Sequence, residues 1–175
     1  MHKTAGHSAK AAIMEAVMKL MEEKLYMDIT VTDIIQCAGV ARASFYRNFS
    51  SISDVLDAIV EDMADELIAD IFPTLRSDDE RRWREFLFHH FYRFATRHRN
   101  GAPIRAENRS VLFNRIDRRM QEKGADAPAQ TIRDRYVTAA KMGLINNVTR
   151  KWIDHGMQET PEELIDYIMT FITTF

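Results

Sequence analysis

Arg42, Ser44, Arg47 and Asn48 lie within seven residues of one another and project outward from a short helical segment. Phe45 and Phe49, four apart, face the other way, because residues i and i+4 share a helix face. A guanidinium flanked by small polar groups on an outward face is the chemistry that meets duplex DNA. Arginine pairs in bidentate fashion with O6 and N7 of guanine, while hydroxyl, amide and further guanidinium groups bond phosphate oxygens. Arg42 and Ser44 are placed to face base edges, beside the small Ala43 on the same surface. Thr32, Tyr46, Arg47 and Asn48 are placed to hold phosphates and fix orientation.

Competing chemistries find less support. No Ser, Cys or Asp occupies a nucleophile motif and no glycine-rich phosphate loop occurs, so no catalytic residue is assigned and an enzyme is not expected. His89, His90 and His98 invite a metal reading, but adjacent histidines on a helix point about 100° apart and do not easily share an ion. The acidic run from Asp54 to Asp70 suits a solvated helix face. No metal and no cofactor are expected.

The segment Thr30–Phe49 must position the DNA-facing side chains. Thr30 caps a helix start and Asp33, three residues on, closes a capping box. Ile34, Ile35 and Ala38 give that helix an apolar side, and Gly39 follows where a left-handed residue ends a helix without steric cost. After Val40 and Ala41 a second short helix runs from about Arg42 to Asn48. Two short helices joined through a tight glycine turn make a helix-turn-helix. Ahead of it, Ala12, Ile13, Ala16, Val17, Leu20 and Met21 mark an amphipathic helix from Ser8 to about Lys24 that completes a three-helix head over residues 8–51. Tyr26, in the link Leu25–Ile29, is expected to wedge against the head's core.

The same twenty residues resemble the TetR-type (TetR/AcrR) bacterial transcription regulators, whose recognition segment reads roughly T-v-x-x-I-a-x-x-A-G-v-s-x-g-x-l-Y-x-x-F. Thr30, Val31, Ile34, Ala38, Gly39, Val40, Tyr46 and Phe49 match in order and spacing. The chain departs from the pattern at Leu25, where glycine is common, at Ala41, where serine is common, and at Ile52, where lysine is usual. Ala41 removes a helix cap, a loss of about 1 kcal/mol. Ile52 removes a cation that family members direct at a phosphate. The resemblance implies that Tyr46 contacts a phosphate, that residues 52–72 link head to body, and that residues 52–175 form a helical ligand-binding and dimerisation domain.

Bulk properties agree with such a protein. At 175 residues the chain can bury a sizeable core, and 46% apolar with 29% charged residues is ordinary for a globular protein. The formal charge of −2 is no basic signature, so DNA binding must rest on local geometry. The single Cys37 excludes an intramolecular disulfide framework and is expected to be a half-buried structural thiol in a reducing cytoplasm. No apolar run approaches the ~20 residues that span a bilayer, so no membrane association is expected.

Downstream, all-helical patterns continue. A helix with a second capping box at Ser51 and Asp54 is expected to stop before Pro73. Aromatic-rich residues 80–100 follow, then a turn at Asn100–Pro103, an arginine-rich helix over 104–123 and a break at Gly124–Pro128. The longest helix covers Gln130–His155, and Thr160, Pro161 and Glu163 start the last one. Trp83, Leu87, His90, Phe91, Phe94, Leu112, Ile116, Tyr136 and Met142 are candidates to line a pocket for an unknown small-molecule effector, as such regions do in TetR-like proteins. The resemblance implies that the last two helices pair with a second copy, through Ala139, Gly143, Ile145, Trp152, Leu164, Ile168, Phe171 and Ile172. The small Ala139, Ala140 and Gly143 permit a close helix approach. The expectation is an all-α homodimeric repressor on a palindromic operator; the alternative is a TetR-like co-activator or protein-binding regulator without direct operator binding.

Overall fold

The computed structural model describes residues 8–75, 77–99, 104–125 and 131–173, and all regular structure among them is helical. In chain order the α-helices are α1 (Ala9–Glu23), α2 (Val31–Ala38), α3 (Arg42–Asn48), α4 (Ile52–Leu75), α5 (Glu80–Arg99), α6 (Ala106–Ala125), α7 (Ile132–Asp154) and α8 (Pro161–Ile172), with a 3-10 turn at Tyr26–Asp28. The turn expected at Asn100–Pro103 and the His98 side chain lie outside the described residues. Packing defines two compact units, Met1–Ala64 with Pro103–Gln121 and Asp65–Ala102 with Glu122–Phe175.

In the first unit α1 is capped by Ser8, whose hydroxyl accepts from the Ala11 amide at 3.2 Å. Its buried stripe is Ile13, Ala16, Val17, Leu20 and Met21, and α2 and α3 pack against it. Ile34, Phe45 and Phe49 enter the same core. Ile29, rather than the half-buried Tyr26, closes it from the link. Val55, Leu56, Ile59, Val60 and Ala64 of α4 and Leu112, Ile116 and Met120 of α6 are further buried apolar residues of this unit. Helices α4 and α6 thus add to the unit beyond residues 8–51.

Asn108 joins α6 to the end of α1. Its Oδ1 accepts from the Tyr26 amide at 2.7 Å, and its Nδ2 donates to the carbonyls of Met21 and Lys24 at 2.8 and 2.7 Å. One buried side chain so satisfies carbonyls that a helix C-terminus leaves open. Arg115 pairs with Asp57 and Arg119 with Glu61, each 58 residues apart, so α4 and α6 run parallel there.

The second unit is built on α5, α7 and α8. Helix α5 buries Trp83, Phe86, Leu87, His90 and Phe91, a repeat of three and one. Helix α8 buries Leu164, Ile165, Ile168, Met169 and Ile172 behind a Thr160–Glu163 capping box with Pro161 in the first turn. Arg84 pairs with Asp166 at 2.8 Å and the Tyr92 hydroxyl donates to Glu162 at 2.5 Å, so α5 and α8 run antiparallel. Arg93 of α5 reaches Glu66 and Asp70 of α4 at 2.9 and 3.1 Å.

Two helix boundaries correct the sequence reading. Helix α4 continues through Pro73 to Leu75. A proline this close to a helix end removes one amide donor, and the Thr74 hydroxyl still donates to the Asp70 carbonyl at 3.0 Å. Helix α6 likewise passes Gly124 and ends at Ala125. No helix among the described residues is long and apolar enough to cross a membrane.

Candidate nucleic-acid interface

The recognition segment is assembled by local interactions. Thr30 Oγ1 accepts from the Asp33 amide at 3.2 Å, and Asp33 Oδ2 accepts from the Thr30 amide at 2.8 Å and the Thr30 hydroxyl at 2.7 Å. Lys24 adds an ion pair to the same Oδ2 at 2.5 Å. The Lys24 hydrogen bond, then those from Thr30, lower the Asp33 carboxyl pKa to about 2. Folding therefore favours the carboxylate, and this contribution is complete above the ordinary value of 3.8 and disappears as pH falls through about 2. Removing the cap hydroxyl in Thr30→Ala is expected to cost about 1 kcal/mol, seen as a fall of about 2–4 °C in the thermal midpoint.

Gly39 ends α2 at φ 63°, in the left-handed region, and sends the chain into α3. Ala41 precedes α3 with no side-chain cap, as its methyl dictates. Phe45 is fully buried, 6.3 Å from Phe49 between ring centroids, which fixes the rotation of α3 about its axis. Arg42, Ala43, Tyr46, Arg47 and Asn48 are consequently exposed, Ser44 is half-buried, and Thr32 is exposed on α2. The outer groups are already ordered by one another. The Arg42 guanidinium lies 5.7 Å from the centroid of the Tyr46 ring. Arg47 Nη2 donates to Ser44 Oγ at 2.9 Å, and Asn48 Nδ2 donates to the Ser44 carbonyl at 2.7 Å. Arg42 is exposed and makes no hydrogen bond among the described residues, while the Ser44 hydroxyl, an acceptor for Arg47, keeps its own proton to donate.

Cys37 is exposed, which corrects the half-buried expectation. The inner face of α2 centres on Ile34 and Ala38, and Cys37 sits about 100° around the helix from that centre.

The other candidate residues fall into distinct places. Trp83, Leu87, His90 and Phe91 are buried in the second unit and Phe94 is half-buried there, while Leu112 and Ile116 belong to the core of the first. Phe86, absent from the candidate set, joins the cluster: its ring lies 6.3 Å from Trp83 and stacks on His90 at 5.8 Å. Met142 is half-buried. Tyr136 is 70% exposed and lines no interior surface among the described residues, because it lies on the side of α7 opposite the inward stripe Lys141, Ile145 and Thr149. Ile145, Trp152, Leu164, Ile168 and Ile172 are buried within the chain's own core. Ala139 and Phe171 are exposed and Gly143 half-exposed, with no atom within 4 Å of where a Gly143 Cβ would stand. Among the described residues no other helix makes a close approach at Gly143.

His90 is neutral. The Thr149 hydroxyl donates its one proton to the Ile145 carbonyl at 2.8 Å, so His90 Nε2 must be the donor across the 2.9 Å contact to Thr149 Oγ1. Nδ1 is then a bare acceptor, buried and without a partner. Burial, with the Arg93 charge adding to it, pushes the imidazole down to about 4.

A helix-turn-helix with an outward basic face, followed by an all-helical body, defines a class of DNA-binding regulators. Comparison with known proteins places the chain within it. Residues 13–59 match the model for bacterial regulatory proteins of the tetR family, and residues 88–174 match a transcriptional regulator C-terminal region. The chain belongs to the TetR family of transcription regulators. It is 28% identical over 95 residues to the HTH-type transcriptional regulator EthR of Mycolicibacterium smegmatis, a match covering 51% of this chain and 44% of that protein. The chain therefore covers less than half the length of that relative. Its fold is similar to the fatty acid degradation regulator FadR of Bacillus halodurans (TM-score 0.67, 17% identity, 97% of each chain). It is also similar to a putative TetR-family regulator of Syntrophomonas wolfei (TM-score 0.62, 21% identity, 95% and 93% of the two chains).

Proposed function

We propose that this protein is a homodimeric repressor that binds a palindromic operator through α3 and is released or engaged by a small-molecule effector. Residues 8–51 act as its DNA-binding domain and residues 52–175 as its effector-binding and dimerisation domain. The observation that carries the reading is the orientation of α3: Phe45 inside, and Arg42, Tyr46, Arg47 and Asn48 outside. One seven-residue helix reaches only a few base pairs, so two copies related by a two-fold axis are needed for a selective site.

A face for the second copy is available on α7 and α8. Ile132, Tyr136, Ala139 and Gly143 recur at four, three and four along the outer side of α7, and Tyr167 and Phe171 stand 65% and 55% exposed on α8. Large apolar groups with small ones between them suit a helix pair contributed by each copy.

Arg42→Ala is expected to weaken operator binding by about 1–3 kcal/mol while leaving the dimer intact. Gel retardation and sedimentation of the same preparations check both halves, and unchanged retardation would count directly against the assignment.

A second reading keeps the fold and transfers recognition to a protein partner. It is favoured by the uncapped start of α3 at Ala41 and by Ile52 standing where the family carries lysine. Salt separates the two readings, since phosphate contacts give a steep fall of affinity with ionic strength.

A further inference from the structure

Helix α6 holds two other helices of the first unit, and it holds them in different ways. Against α4 it uses long side chains that reach solvent. Arg115 pairs with Asp57 and donates to Ser53 Oγ at 3.2 Å, and Arg119 Nη2 donates to Glu61 at 2.7 Å. Pairs of flexible side chains near solvent contribute little and fix no single geometry. Against α1 it uses Asn108, a short side chain only 2% exposed. Oδ1 accepts from the Tyr26 amide at 2.7 Å, and Nδ2 donates to the Met21 and Lys24 carbonyls at 2.8 and 2.7 Å. The Arg105 amide adds a longer bond, 3.4 Å, to the Met21 carbonyl. Buried bonds of this kind tolerate little displacement, because each one lost leaves a polar atom unpaired away from water. The end of α1 is thus fixed to α6.

The same contact leads on to the recognition segment. Lys24, whose carbonyl Asn108 holds, pairs through its ammonium with Asp33 at 2.5 Å. Asp33 closes the capping box at the start of α2, and α2 hands the chain to α3 through Gly39. We propose that Asn108 is a positioning residue for DNA binding: from α6 it sets the orientation of the α1–α3 head, and with it the spacing at which the two heads of a dimer meet DNA. It acts through the backbone of α1 and touches no DNA. The proposal rests on the dimeric operator reading above and gives that reading a working residue outside 8–51.

The test uses duplexes that the wild-type chain selects from a random-sequence pool. Each is offered intact, with one arm scrambled, and with one base pair added or removed between the arms. Asn108→Ala is expected to bind the intact duplex about ten- to hundredfold more weakly, because the gain from two linked contacts is lost when geometry prevents both from forming. On the one-armed duplex it should match the wild type, since a single head has no spacing to satisfy. Wild-type affinity should fall sharply when the spacing changes, and that of Asn108→Ala should hardly respond. Should Asn108→Ala not fold, Asn108→Gln is measured instead. It keeps the amide on a longer arm and should shift the preferred spacing while leaving one-armed binding intact. Equal weakening on intact and one-armed duplexes would mean a purely structural role and overturns the proposal, as does a variant whose affinity and spacing preference are both those of the wild type. A wild-type chain that selects no duplex, or selects duplexes with one arm only, removes the dimeric operator reading itself and this inference with it.

Discussion

Phe45→Ala is expected to lower stability by about 3–5 kcal/mol, the usual result of emptying a fully buried aromatic site. Phe45 is 0% exposed, stands edge-on to Tyr46 at 5.3 Å between centroids, and meets Phe49 on the next turn. Helix α3 has seven residues and no side-chain cap, so it has little helical stability of its own and depends on this anchor. A loss of this size is a large fraction of the roughly 5–15 kcal/mol that holds a domain together. DNA binding should fail with it, although the ring touches no DNA, because the rotation of α3 sets where Arg42 points. Urea unfolding followed by far-ultraviolet circular dichroism gives the number. A loss below about 1 kcal/mol would mean that the ring is not the packed anchor described.

Acidification is the second large effect. His90 titrates near 4 in the folded chain, against an ordinary 6.5, because burial and the Arg93 charge oppose the imidazolium. Between those two values the unfolded chain takes up a proton that the folded chain refuses, so stability falls as pH falls from about 6.5 to about 4. At 1.36 kcal/mol per pH unit the full effect is about 3 kcal/mol. His90→Gln retains a donor for Thr149 Oγ1 and carries no titrating proton. The wild-type chain should therefore lose about 3 kcal/mol more than His90→Gln over this window. Parallel pH profiles for the two proteins would show that His90 is not the group responsible.

The recognition segment was legible because its signals are local. Thr30, Asp33 and Gly39 each have one backbone geometry that suits them, and the structure uses all three. The inward phenylalanines followed from spacing alone. What was missed depends on which side of a helix meets the rest of the protein. On α7 the apolar residues are spread broadly, so Tyr136 looked interior. In the structure the inward stripe runs Lys141, Ile145, Thr149 and Trp152, and Tyr136 lies opposite. A lysine in register with Ile145 and Trp152 was the available signal. On α8 the buried Leu164, Ile168 and Ile172 satisfy the core of the chain itself, which no single-sequence pattern separates from a partner's core. Asn108 carried no signal, since its three partners lie more than eighty residues away in the chain. Pro73 misled because the rule for proline in helix interiors weakens in the last turn.

The most direct test of the central claim is footprinting of the DNA that flanks the gene with the purified chain. Binding by a pair of α3 helices predicts protection of an inverted repeat whose half-sites are spaced by about one helical turn or a multiple of it. It also predicts affinity that falls steeply as salt is raised. An unprotected flanking region, together with the same weak, salt-insensitive affinity for every duplex offered, would contradict it.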